Sequence, residues 1–320
     1  MRAFVTGATG FLGGRVAARL RERGDEVVAL VRSPDRARGL DAELVQGDLS
    51  DAAALEREMA GCDAVFHLAA VYEIGIPRSR RAAMFETNVR GTEHVLDAAW
   101  AAGVPRIVDV STVNVFGNTR GRVVDETYER PPGGFISTYD WTKYLAHEAA
   151  RERSERGAPI VIVQPGAIYG PGDHSELGAQ LEQMRTGKLR LKALAGVGVN
   201  AVYVDDAADG VLLAHTRGRL GEAYVLGGQI TTLGEMIDVV ARQTGRRPPR
   251  LTIPVPLIKL MIPAGPLVGR MLGTGPNLRE LVSAAAGVTC WATDAKARHE
   301  LGYAPRGLEQ GLADLIAAAV

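Results

Sequence analysis

The run Thr6-Gly7-Ala8-Thr9-Gly10-Phe11-Leu12-Gly13 follows the short apolar segment Ala3-Phe4-Val5. It opens a stretch of helical spacing over 11–23 that stops at Gly24. A glycine-rich turn between a strand and a helix lets the backbone turn tightly. It also lets a pyrophosphate approach the free N–H groups of the helix N-terminus. Here the spacing is G-x-x-G-x-x-G rather than G-x-G-x-x-G. A turn that holds no ligand is the plainer reading of three glycines. Its place within a β-α-β unit argues for the nucleotide. The alternation continues down the chain: apolar runs at 27–31, 44–45, 64–68, 107–110 and 160–163 are separated by helical patterns at 51–60, 82–101 and 138–156. The run 27–31 is continuously β-rich, as in a strand buried on both faces. Repeats of this kind give an α/β fold, a Rossmann-type doubly wound parallel sheet with helices on both faces.

After Pro165 the pattern becomes loop-rich, with helices expected at 177–184 and 233–244 and a late helix capped by Thr293. Strands near 201–204 and 224–226 are expected to return to the sheet. The division is a dinucleotide-binding lobe over 1–165 and a mainly substrate-binding lobe over 166–320. The 320 residues carry 37 Lys plus Arg and 37 Asp plus Glu, so no basic field argues for nucleic acid. Cys62 and Cys290 are too few and too far apart for a disulfide framework. With the first strand starting at Arg2 there is no room for a signal peptide, and a cytoplasmic protein is expected. The apolar segment 251–273 is broken by Pro254, Pro256, Pro263 and Pro266 and holds Lys259 and Arg270, which disfavours a membrane span. Buried helices lining a substrate mouth are the favoured reading, peripheral membrane contact the other. A homodimer stays open.

The chemistry concentrates in Tyr139-Asp140-Trp141-Thr142-Lys143. Residues four apart share a helix face. An ammonium beside a phenol favours the phenolate and brings it toward proton exchange with a carbonyl or alcohol. Alone, the pair is two ordinary helix residues. The end of the second strand, Val31-Arg32-Ser33, lacks the carboxylate that would bind the ribose 2′-hydroxyl of NAD. It offers Arg32 for a 2′-phosphate instead. NADP(H) is favoured over NAD(H), against the plainer reading of Arg32 as a surface residue.

Further motifs stand in order along the chain: Gly47-Asp48-Leu49, His67-Leu68-Ala69-Ala70, Asn88-Val89-Arg90-Gly91-Thr92, Ser111-Thr112, 165–171 and Val204-Asp205-Asp206-Ala207. With the glycine turn and Tyr139 to Lys143, they resemble the extended short-chain dehydrogenase/reductases over almost the whole length. That group includes nucleotide-sugar epimerases, dihydroflavonol-reductase-like and 3β-hydroxysteroid-dehydrogenase-like enzymes. The resemblance implies that Gly7, Gly10, Phe11, Leu12 and Gly13 hold the cofactor, and that Asp48 and Leu49 contact its adenine. It puts Ala69 and Ala70 beneath it and Pro165 to Ile168 beside the nicotinamide. Tyr139 becomes the proton donor or acceptor, and Lys143 the residue that binds the ribose and tunes the tyrosine. Thr112, rather than Ser111, holds the substrate oxygen. Asn88 matches a helix position that is usually structural in the family, contact with the active-site network being the other reading. Asp205, Asp206 and His67 are read as packing residues.

The departures bear on substrate. Val113 and Asn114 replace the Asp-Glu pair of the sugar dehydratases. Ala167 stands where many nucleotide-sugar enzymes have Asn, and Val199-Asn200-Ala201 lacks their arginine. These losses point to a less charged small molecule, unless Arg185, Arg190 or Arg279 folds into the site. The reading is an NADP(H)-dependent oxidoreductase acting on a carbonyl or secondary alcohol of a fairly apolar molecule. A nucleotide-sugar 4-epimerase using tightly held NAD is the alternative, and a non-catalytic dinucleotide sensor the third.

Overall fold

The computed structural model describes residues 1–37, 39–192, 194–252, 280 and 287–318. Seven strands, β1 (Arg2–Thr6), β2 (Glu26–Val31), β3 (Glu43–Gln46), β4 (Ala64–His67), β5 (Ile107–Val110), β6 (Ile160–Pro165) and β9 (Ala223–Leu226), form one parallel sheet. Their order is β3-β2-β1-β4-β5-β6-β9, so the order reverses between β1 and β4. In an open α/β sheet that reversal opens a crevice beyond the carboxyl ends of the strands, where ligands bind. The strands lack alternation because both faces are covered. On one face, α1 (Phe11–Glu22) and α7 (Val204–Arg217) supply Val16, Leu20, Ala207 and Val211 against Val5, Phe66 and Val163. On the other, α2 (Ala52–Met59), α4 (Gly91–Ala101) and α5 (Thr138–Glu155) bring Leu55, Val95, Leu96 and Ala150 against Phe4, Val65 and Ile107.

The helix expected over 82–101 is interrupted. A short α3 (Arg81–Phe85) passes into a π-helical turn, Glu86–Arg90, before α4. Such turns displace side chains from the regular helical pattern, and this one carries Asn88. Local caps fix several starts: the Ser137 hydroxyl accepts the Asp140 N–H at 3.0 Å ahead of α5.

One expectation needs correction. Only 224–226, within β9, rejoins the main sheet. The 201–204 segment does not: β8 (Gly198–Tyr203) lies in a separate three-stranded sheet between β7 (Ala167–Tyr169) and β10 (Gln229–Thr232), and Val204 already begins α7. The β8 backbone pairs antiparallel with β10 and parallel with β7, and Asn200 within it donates to the Ala292 carbonyl at 2.6 Å and accepts from Gly228 N–H at 3.0 Å. The small sheet packs under α6 (Glu176–Thr186), α8 (Leu233–Gln243) and α9 (Leu308–Ala317) through Tyr169, Leu181, Ile237 and Leu312. Asp206 and Arg306 link this layer to α7, their side chains 2.8 Å apart. The apolar segment expected at the substrate mouth lies, from 253 to 273, outside the described residues, as does Arg279. Among the described residues no helix is long and apolar enough to cross a membrane.

Candidate active site

The glycine turn is dictated by backbone crowding. Gly7 has φ of 75°, and a Cβ there would lie 2.7 Å from the Ala69 nitrogen. A Cβ on Gly13 would lie 2.0 Å from the Gly7 carbonyl oxygen. Thus β1, its turn and the end of β4 meet with no side chain between them. Gly10 is exposed, caps α1 without a side chain, and no acidic residue occupies the first turn. A bare, uncapped helix N-terminus on an exposed glycine fits a dinucleotide phosphate. Phe11 and Leu12 lean on the core around the three-stranded sheet. Arg32 is exposed directly after β2, two positions beyond the Thr6↔Leu30 pair, at the same rim as Gly7. Gly47 N–H bonds the Val31 carbonyl at 3.0 Å and sets exposed Asp48 beside that rim, where Asp48 accepts the Ser50 N–H. Leu49 turns inward to the core under α4. Ala69 and Ala70 follow β4, and Ala69 N–H donates to Thr6 at 3.3 Å. Pro165 ends β6 opposite Leu226, and Ile168 follows in β7 opposite Val202.

Thr112, Tyr139 and Lys143 come together at the adjoining ends of β5 and α5. All three are buried. Thr112 lies beside the Tyr139 phenol and opposes its upward shift, whereas Ser111 turns to His147, with 3.0 Å between Oγ and Nδ1. Lys143 Nζ donates to the Val110 carbonyl at 2.9 Å. The buried Arg130–Asp140 pair, 2.8 Å apart, anchors the first turn of α5, and Glu280 accepts the Thr138 N–H.

The electrostatics differ from the expectation that Lys143 lowers the tyrosine. Burial, then the neighbouring Tyr72, pushes the Tyr139 phenol above its usual value, opposed by Thr112. Without a cofactor the phenol therefore keeps its proton at neutral pH. Lys143 is itself pulled down by burial and supported by Asp109, a carboxyl in the middle of β5. Burial pushes Asp109 up to about 6, with Lys143 opposing. Sequence reading passed over Asp109, although a charged residue inside the buried run Ile107–Val110 was the signal to find it. Tyr72 was also missed. Its ring stands edge-on to Tyr139 at 4.8 Å between centroids and 85° between planes.

His67 is a packing residue. It is buried between Thr6, 2.7 Å from Nδ1, and Thr92, 2.9 Å from Nε2. Thr92 donates onward to the Asn88 carbonyl at 2.8 Å, which places the ring proton on Nε2. Burial and the charge of Lys143 pull His67 down to about 3, so it stays neutral. Among the described residues no group of three or more His, Cys, Asp or Glu could hold a metal ion.

A model of the NAD-dependent epimerase/dehydratase family matches residues 3–227. The chain is 34% identical to the 4-hydroxy-2-methyl-3-oxo-4-farnesyl-3,4-dihydroquinoline-1-oxide ketoreductase of Stigmatella aurantiaca, covering 97% of this chain and 94% of the relative. The solved structure of gox2253 superposes with a TM-score of 0.83 at 33% identity, covering 98% and 96% of the two chains. The dTDP-glucose 4,6-dehydratase DesIV of Streptomyces venezuelae, solved with NAD bound, superposes at 0.78 with 26% identity, covering 99% and 96%. The turn, the crevice and the Thr112–Tyr139–Lys143 group thus stand in a chain that belongs to the NAD-dependent epimerase/dehydratase family and is an NAD(P)-dependent oxidoreductase of the extended short-chain type.

Proposed function

We propose that this protein reduces a ketone or aldehyde flanked by apolar carbon, with NADP(H) as the preferred cofactor. The observation that carries the reading is the buried, proton-bearing Tyr139 with Thr112 beside its phenol. A phenol that keeps its proton at neutral pH is in the form that can protonate a developing alkoxide. Thr112 orients the carbonyl oxygen and Tyr139 delivers the proton. Lys143, whose charged form Asp109 supports, would bind the nicotinamide ribose. The bound cofactor would supply the hydride. The pieces after Pro165, apart from α7 and β9, act as the substrate lobe.

The surroundings favour a reductase over an epimerase. Ala167 and Ala201, two of the positions that lack a polar or cationic group, are register partners in β7 and β8. Asn200 is buried and already bonded. Arg185 is bound by Glu182 at 2.7 Å. The charges that reach Tyr72 are the carboxylates of Asp173 and Glu176. Among the described residues a diphosphate there would meet carboxylates rather than cations and would lose its hydration for little return. The farnesylated ketone in the name of the Stigmatella relative supports the same class. Two free cysteines fit a cytoplasmic setting.

Arg32 carries the cofactor preference. Hydrogen bonds to charged groups contribute about 1.5–3 kcal/mol, roughly 10- to 150-fold in affinity. Titration should show NADPH binding more tightly than NADH, and Arg32→Ala should erase most of the difference. Equal wild-type affinities would sink the NADP preference. Ketones and aldehydes should be reduced with NADPH, while calorimetry should detect no UDP binding. Micromolar UDP binding would make the 4-epimerase the better reading.

A further inference from the structure

We propose that Tyr72 is a specificity-determining residue whose ring is the platform for an aryl group attached to the substrate carbonyl; the substrate class rests on the reductase reading above. Tyr72 is the large aromatic that most openly faces solvent next to the catalytic group. It is 56% exposed, whereas Tyr139 beside it is 8% exposed. Its exposed ring meets the buried Tyr139 edge-on, so it stands where the site opens to solvent. The two rings are perpendicular and in contact, so together they form a corner. A carbonyl held in that corner by Tyr139 and Thr112 has one flanking group against Tyr72.

The platform is held rigidly although it lies outside regular structure. Asn88 grips the preceding residue at both backbone atoms: Val71 N–H donates to its Oδ1 at 2.7 Å, and its Nδ2 donates to the Val71 carbonyl at 3.0 Å. The same Nδ2 reaches Thr142 on α5 at 3.2 Å. The π-helical turn thus ties the Tyr72 segment to the helix that bears Tyr139. Val71, Ile76 and Met84 pack with Tyr139 beneath it. Preorganised aromatic surface needs little ordering on binding, and aromatic pairs add to their area burial. The carboxylates of Asp173 and Glu176 near the hydroxyl make the corner unsuited to phosphate.

Binding of acetophenone and of butanone should be measured by calorimetry with saturating NADPH. The proteins are Tyr139→Phe, which blocks turnover, and the same chain carrying Tyr72→Ala or Tyr72→Phe. Acetophenone affinity should fall about 10-fold with Tyr72→Ala and stay within about twofold with Tyr72→Phe, while butanone changes less than about twofold in both. Equal losses for the two ketones, no loss at all, or no acetophenone binding with Tyr72 intact would overturn the platform. Selective binding through Tyr72 without reduction by the wild type would instead overturn the reductase reading and leave the platform standing.

Discussion

The glycine turn and the proposed proton-transfer site lie on the same rim of one sheet and are built by opposite means. Between Gly7 and Gly13 the geometry comes from missing side chains, with backbone passing backbone at distances no Cβ tolerates. At Thr112, Tyr139 and Lys143 it comes from polar side chains buried at a cost and offset by one another. Lys143 is drawn down by burial and sustained by Asp109, and Tyr139 is pushed up by burial and eased by Thr112. The first site fails by steric intrusion. The second fails by changing protonation. A substitution should therefore leave a different signature in each.

The largest effect is expected at Gly13. An added methyl at 2.0 Å from the Gly7 oxygen must displace backbone. Gly13→Ala should lose cofactor binding at concentrations that saturate the wild type, and destabilise the fold by about 1–3 kcal/mol. Gly39→Ala, where a Cβ meets nothing within 4 Å, is the control. Calorimetry with NADPH and thermal melts check both, and normal binding by Gly13→Ala would break the steric half of the comparison.

The same contrast decides what sequence reading could reach. The glycine turn is local: its strand, turn and helix are contiguous, and period and glycine spacing suffice. The alternating elements of the first half were legible for the same reason, because strands buried on both faces lose their polar positions. The proton site was legible as the pair Tyr139 and Lys143, with Thr112 added by the family resemblance. Its remaining parts arrive from distant segments. Asp109 sits inside a strand that otherwise reads as core. Tyr72 comes from the loop after β4, and Asn88 acts through a π-helical turn that helical periodicity conceals. β8 was assigned to the wrong sheet because an apolar run states that a strand is buried, not which neighbour pairs with it.

A smaller and differently shaped effect is expected at Asp109. Its charge raises Lys143 against burial. Asp109→Asn removes that support, so Lys143 should lose its proton at lower pH. The alkaline limb of the rate profile should move down by about 1 pH unit, the lower end of what one close charge contributes. Cofactor binding at neutral pH should stay near wild type if Lys143 is still charged there. Profiles of kcat with NADPH measure it, and an unmoved or upward-shifted alkaline limb would show that Asp109 does not act through Lys143.

The most direct test of the central claim, that Tyr139 is the acid of a carbonyl reductase, is the turnover of Tyr139→Phe with its NADPH affinity measured alongside. The ring volume is nearly kept and only the transferable proton is lost. Turnover should fall by about 100-fold or more, with cofactor affinity unchanged. Retention of more than about a tenth of the wild-type rate at neutral pH, well above what loss of a general acid leaves, would contradict it.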